Sequence, residues 1–321
     1  MNKSVSLITK LSIFIVFALI FGATMIALSM RGTKPMMIDN LSWERGDKGV
    51  EKTFTVKSGG LLSLTTDVGV VMVSGTEKEE VKIVVKMRGS EERIKKFTVG
   101  FEQNENTVKV VGKNERNHFN FFGDGGLDVR YEVQVPVNFN LHIETAGGDI
   151  IVEDVKGKIE GGTSGGEIEL RKTDGQVDLT TSGGDIKMNE CSGSLVVSTS
   201  GGNITADRVV GDMDVETSGG NITVRNSDGK VNGSTSGGDI RVELKDNKGI
   251  DLSTSGGNVI VTLPKNITGE VQASTTGGDV NCDLPFSGKI KHGNMNGTIN
   301  GGGKLIKLET TGGDISINSR D

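Results

Sequence analysis

The residues of this chain with most chemical potential recur as one phrase: a Thr, a small residue, Gly-Gly, a polar residue, then Ile or Val. The phrase begins at Thr145, Thr163, Thr181, Thr199, Thr217, Thr235, Thr254, Thr275 and Thr310. Read alone, its Ser-Gly-Gly invites comparison with the activated serine of a hydrolase. A nucleophile is needed once, beside a base and an orienting group, whereas this Ser returns in copy after copy. The fourth residue after each Thr offers a second candidate. Asp149, Glu167, Asp185, Asn203, Asn221 and Asp239 form a column about 5 Å apart if successive copies stack as strands. Such a column could hold cations. Calcium-loaded β-rolls, however, repeat Gly-Gly-x-Gly-x-Asp, and here that motif's later Gly and Asp are missing and the period is twice as long. Both columns are expected to be corners of the fold, not reacting groups.

The remaining candidates are few. His118, His142 and His292 fall in no triad or metal-ligand spacing, and His142, between Leu141 and Ile143, is expected to point outward from a strand. Cys282 stands at an apolar position of its repeat and Cys191 in a turn five repeats earlier, roughly 24 Å away along a stack, so the two are not expected to pair. No catalytic residue, cofactor-binding residue, cofactor or metal ligand is assigned. One segment outside the repeats stands out: Phe119, Phe121 and Phe122 crowd beside Gly123-Asp124-Gly125-Gly126. They are candidate partner contacts, since exposed apolar clusters mark interfaces, although tucking over the end of the repeat body is the favoured expectation.

The elements that position these residues follow from the period. The first six copies are spaced by 18 residues, the next two by 19 and 21, and a fixed short period signals a repeat architecture. Counting from each Thr, positions −4, +5 and +7 are apolar almost throughout, and −2 is apolar or Gly: Leu195, Val197, Ile204 and Ala206 in one copy, Val177, Leu179, Ile186 and Met188 in another. Period-two alternation on both sides of the Gly-Gly predicts two short strands per repeat. A Gly six residues before most Thr marks a second turn where positive φ is tolerated. Two strands cannot bury an apolar face alone, so the coils must stack. The fold class is therefore all-β, a parallel β-solenoid of about 18-residue coils. Counting by twos turns the Thr inward, where stacked hydroxyls need partners in neighbouring coils.

Residues 11–30 carry no charge, with Lys3 and Lys10 before them and Arg31 and Lys34 after. That length crosses a ~30 Å hydrocarbon core as a helix and exceeds a usual signal-peptide core, which favours an uncleaved anchor over cleavage near Ala27-Leu28-Ser29. The expected organisation is a tail and transmembrane helix over 1–30, a spacer over 31–55, an irregular capping region over 56–140 and regular coils over 141–321. Within the cap, Leu62, Leu64, Thr66, Val71 and Val73 fit the repeat as a degenerate first coil. Ser90 is a candidate helix cap, and a hairpin is expected about Asn104-Glu105-Asn106.

A formal charge of −6 without a basic stripe argues against nucleic acid as a partner. From Thr145 onward Phe286 is the only aromatic, so the coils offer no platform for stacking sugars.

The repeated Thr-Ser-Gly-Gly-Asp-Ile, with Val133-Gln134-Val135-Pro136 just before the first regular coil, resembles the bacterial putative-adhesin β-solenoid family, a group of cell-envelope domains of unknown function, over roughly residues 55–321. The resemblance implies surface interaction and an association with envelope-stress regulators, and it carries no catalytic residues. The resulting expectation is a non-enzymatic single-pass cell-membrane protein with extracytoplasmic repeats, in contact with an envelope protein or polymer and able to self-associate. A polysaccharide-active enzyme and a structural protein polymerising through the solenoid ends are the alternatives.

Overall fold

The computed structural model describes residues 47–114 and 126–320. Each regular repeat is one coil. A strand ends at the Thr, the chain turns at Ser-Gly-Gly, and a second strand starts at the Ile, as in Ser192–Thr199 followed by Ile204–Asp207. Equivalent strands of successive coils pair in parallel and in register, Val177 with Leu195 and Ile186 with Ile204. Strands ending at the Thr form the body of a 14-stranded sheet, the Thr sheet, and strands starting at the Ile or Val form the body of a 13-stranded sheet, the Ile sheet; the end strands described below complete both.

The inward columns of both sheets merge into one core. Ile159, Val177 and Leu195 of the Thr sheet and Ile168, Ile186 and Ile204 of the Ile sheet are all but inaccessible to solvent. Each such side chain contributes about 1.5–3 kcal/mol on burial, a gain available only once coils stack. Cys282 is only half-buried, because its strand, Val280–Cys282, is the outermost of the Ile sheet.

At the N-terminal end, Leu61–Thr66 and Val70–Thr76 form a coil that stacks directly on Asn140–Thr145 and Ile150–Glu153, as the fit to the repeat predicts. The chain between these coils supplies the cap. Thr107–Asn114 adds in parallel to Leu61–Thr66, and Phe97–Asn104 closes that edge antiparallel, through the expected hairpin. On the Ile sheet Asp128–Pro136 adds in parallel, followed antiparallel by Glu80–Arg88 and then Asp47–Thr55. The last of these corrects the expected spacer, which cannot extend to residue 55: Val50 is buried and Phe54 packs against the core, but polar neighbours mask their alternation. The helix is Glu91–Lys95, and Ser90 precedes it without a side-chain capping bond. Tyr131 is wholly buried here, its hydroxyl 2.9 Å from the Thr66 hydroxyl.

At the C-terminal end regular coils do not run through residue 321. Phe286–Lys291 and Asn294–Ile299 form an antiparallel hairpin on the outer side of Gly269–Thr275. With that side occupied, the last repeat takes the other. Leu305–Thr310 lies between Ile250–Thr254 and Gly269–Thr275, and Ile315–Arg320 between Val259–Pro264 and Val280–Cys282. Cys191 and Cys282, both free, are thereby six coils apart, roughly 29 Å.

Candidate functional site: the corner ladders and the exposed sheet faces

The Thr hydroxyls are the first polar column, and their partners are backbone groups. Thr199 Oγ1 donates to the Gly184 carbonyl of the preceding coil at 2.9 Å and accepts from its own Gly202 N–H at 3.2 Å. Thr163, Thr181, Thr217 and Thr235 repeat both contacts. A buried hydroxyl left unpaired would cost about 1–3 kcal/mol; here donor and acceptor are both used. The same contact explains the second Gly. A Cβ on Gly202 would lie 2.0 Å from the Gly184 oxygen, whereas one on Gly201 would meet nothing closer than 3.6 Å. Close approach of neighbouring coils, not positive φ, excludes a side chain at the second Gly.

The column after the Gly-Gly is also structural. Asp185 Oδ1 accepts the Asn203 N–H at 2.7 Å, Asn203 Oδ1 the Asn221 N–H at 2.9 Å, and Asn221 Oδ1 the Asp239 N–H at 2.8 Å. Asp149 does the same for Glu167 at 2.8 Å. Each short acid or amide thus ties its corner to the next. The Asn258 N–H on the Asp239 carboxylate, with Arg241 beside it, holds that carboxyl below its ordinary range. Glu167 is one methylene too long for this geometry and pairs instead with Lys187 at 2.7 Å. Among the described residues no group of three or more His, Cys, Asp or Glu is arranged to hold a metal ion.

The second turn carries a feature that sequence reasoning missed. Asp154, Lys172, Glu190, Arg208 and Asn226, equivalent in successive coils, all adopt left-handed backbone with φ of 49–57°. Only Asn226 and Asp154 are types that favour it, so no residue signature announces the column.

His142 points outward as expected, half-buried and 3.4 Å from Glu144. Hydrogen bonding to that carboxylate raises its pKa above the ordinary imidazole value. Phe119, Phe121 and Phe122, like His118 and residues 11–30, lie outside the described residues. Among those described, no helix is long and apolar enough to cross a membrane.

Between the corners lie two long sheet faces. The outward side of the Thr sheet carries Glu144, Glu160, Asp178, Asp214, Asp251 and Glu309, interspersed with Thr180, Ser198, Ser234 and Ser253; His142 lies beside Glu144, Lys158 pairs with Glu160, and Lys307 pairs with both Asp251 and Glu309. The Ile sheet is also mixed in charge, with pairs such as Arg171 with Glu169 and Lys86 with Glu132, both at 2.7 Å. Both faces offer rows of side chains at the coil spacing of about 4.8 Å.

The Toastrack DUF4097 family matches residues 61–318, and the chain belongs to it, as the repeated phrase suggested. No curated protein matches. Similar solved structures include a putative cell adhesion protein from Clostridium sporogenes, 14% identical with a TM-score of 0.23, covering 85% of this chain and 100% of that one. A putative adhesin from Bacteroides fragilis is 15% identical with a TM-score of 0.41, covering 85% and 97%. A putative lipid binding protein from Parabacteroides distasonis is 13% identical, again with a TM-score of 0.41 and coverage of 85% and 97%. At these values the likenesses carry no functional argument.

Proposed function

We propose that this protein is a non-enzymatic adhesin-like scaffold, held in the cell membrane by residues 11–30 and presenting its solenoid to proteins or polymers of the bacterial envelope. The observation that carries this reading is the use made of the repeated polar groups. The Thr hydroxyls and the short acids and amides that invite a catalytic or cation-binding reading are engaged with backbone groups of adjacent coils. What faces outward, where a partner could meet it, is the side-chain rows of the two sheets. A face of carboxylates, hydroxyls and paired cations suits polar contacts spread over several coils, each weak and jointly sufficient. Family membership supports a cell-envelope setting, and with it the link to envelope stress. The charge-free run of residues 11–30 is long enough to cross a hydrocarbon core, which supports anchoring.

Topology is tested with a membrane-impermeant thiol reagent on intact cells, in the full chain with Cys191→Ala and Cys282→Ala. Labelling is expected at Ser58→Cys, an exposed position, and not at Ser4→Cys. Label at Ser4→Cys, or a mature soluble chain beginning near Met30, would overturn the anchored arrangement.

A further inference from the structure

Coil order departs from chain order where the last repeat is seated between the Thr254 and Thr275 coils. The chain prepares for this: Thr254 and Thr275 are 21 residues apart rather than 18, and the added residues span a skipped layer, roughly 9.6 Å for two strand spacings. A slot one coil thick is therefore built into the solenoid.

The contacts that fill the slot are the generic ones. Thr310 Oγ1 donates to the Gly257 carbonyl at 2.8 Å, and Thr275 Oγ1 to the Gly313 carbonyl at 2.7 Å. The Asp314 N–H rests on Asn258 Oδ1 at 2.8 Å, and the Asp279 N–H on Asp314 Oδ1 at 2.9 Å. Arg320 closes the coil by pairing with Glu243 and donating to the Leu244 carbonyl at 3.1 Å. All of these would form identically with residues 305–320 of another molecule. The tether is a glycine loop, Gly301-Gly302-Gly303, in which Gly301 and Gly302 take φ of 89° and 97° and a Cβ on Gly301 would meet nothing within 4 Å.

We propose that the slot between the Thr254 and Thr275 coils also accepts the terminal coil, residues 305–320, of a second copy of this chain, giving a reciprocally swapped dimer. Exchange of an identical element is isologous, and every ladder bond is regained. What favours the closed form is the tethered coil's effective concentration, about millimolar for a short linker. Chains folding side by side at comparable local density are therefore partitioned between closed and swapped forms, and strand ladders on both faces of the coil hold whichever form is reached.

Ser253 and Glu309 are register partners across the slot, at a neighbouring-strand spacing that a disulfide spans. In full chains carrying Cys191→Ala and Cys282→Ala, one tagged copy takes Ser253→Cys and a differently tagged copy Glu309→Cys. The two are co-expressed and mildly oxidised. The expected product is a disulfide-linked dimer bearing both tags, at least tenfold above a control pairing Ser198→Cys with Glu309→Cys. A single chain with both Ser253→Cys and Glu309→Cys should close an internal disulfide. An internal disulfide there with no mixed dimer above the control would overturn the swap. Failure of the internal disulfide would show that Glu309 does not lie beside Ser253, and the slot itself would fall.

Discussion

The second Gly of each corner leaves no room for a side chain, and Gly202→Ala measures what that close packing is worth. The added Cβ would sit 2.0 Å from the Gly184 oxygen, against ordinary contact from 3.4 Å, so neighbouring corners must part by more than an ångström. Overpacking of this size costs about 1–3 kcal/mol. The same movement pulls Thr199 from the Gly184 carbonyl, now 2.9 Å away. Leaving one such buried hydroxyl unpaired adds about 1–3 kcal/mol. Reduced freedom of the unfolded chain returns about 0.4–1 kcal/mol. The net expectation is a loss of about 3–4 kcal/mol. Gly201→Ala retains only the favourable part, since its Cβ has open contact at 3.6 Å and its φ is not positive; it should be neutral or stabilising by about 0.5 kcal/mol. Urea unfolding followed by far-ultraviolet circular dichroism compares the two. Equal midpoints would refute the close-packed corner.

Three further outcomes follow from named positions. Ile204→Asp buries an unpaired charge in the core and should lower stability by several kcal/mol, while Asn203→Asp keeps the oxygen that accepts the Asn221 N–H, trades its exposed 3.3 Å bond to Asp185 for a like-charge neighbour and should cost no more than about 1 kcal/mol; similar melting temperatures would reverse the inward and outward assignments. The folded-state pKa of Asp239 is lowered, so its ionised form favours the fold: that contribution is complete above the unfolded carboxylate pKa of about 4 and is lost as pH falls through the lower folded value. Asp239→Asn should therefore flatten the acid limb of the stability–pH curve, and an unchanged limb would contradict the assignment. Lys172→Gly relieves a left-handed backbone at an exposed turn and should stabilise by about 0.5–1 kcal/mol, read as a rise in urea midpoint; a fall would show that Lys172 makes contacts outweighing its backbone strain.

The coil itself was legible because its signal is redundant. Inward residues recur at a fixed offset from each Thr, and all the marked Thr are buried or nearly so. The seating of the last repeat was not legible, since copies with the same phrase pair equally well in any order; only the 21-residue spacing before Thr275 hinted at it. The left-handed column was hidden because Lys172, Glu190 and Arg208 carry no turn signature. At Asp149, Asp185 and Asn203 the short-acid-or-amide pattern was visible, but its purpose, accepting the next corner's N–H, required the stacking geometry. The strand Asp47–Thr55 escaped because only Val50 and Phe54 mark its buried side.

In the proposed function the sheet faces meet envelope partners while the ladder acids serve the fold. A photo-cross-linking residue at Val196, 45% exposed at the middle of the Thr sheet, and another at Thr205, exposed on the Ile sheet, test this in intact cells. Covalent adducts with envelope components are expected from at least one face, and they should be retained when Asp149, Glu167 and Asp185 are all changed to Asn. No adduct from either face, or adducts lost with those three carboxylates while the fold persists, would contradict it.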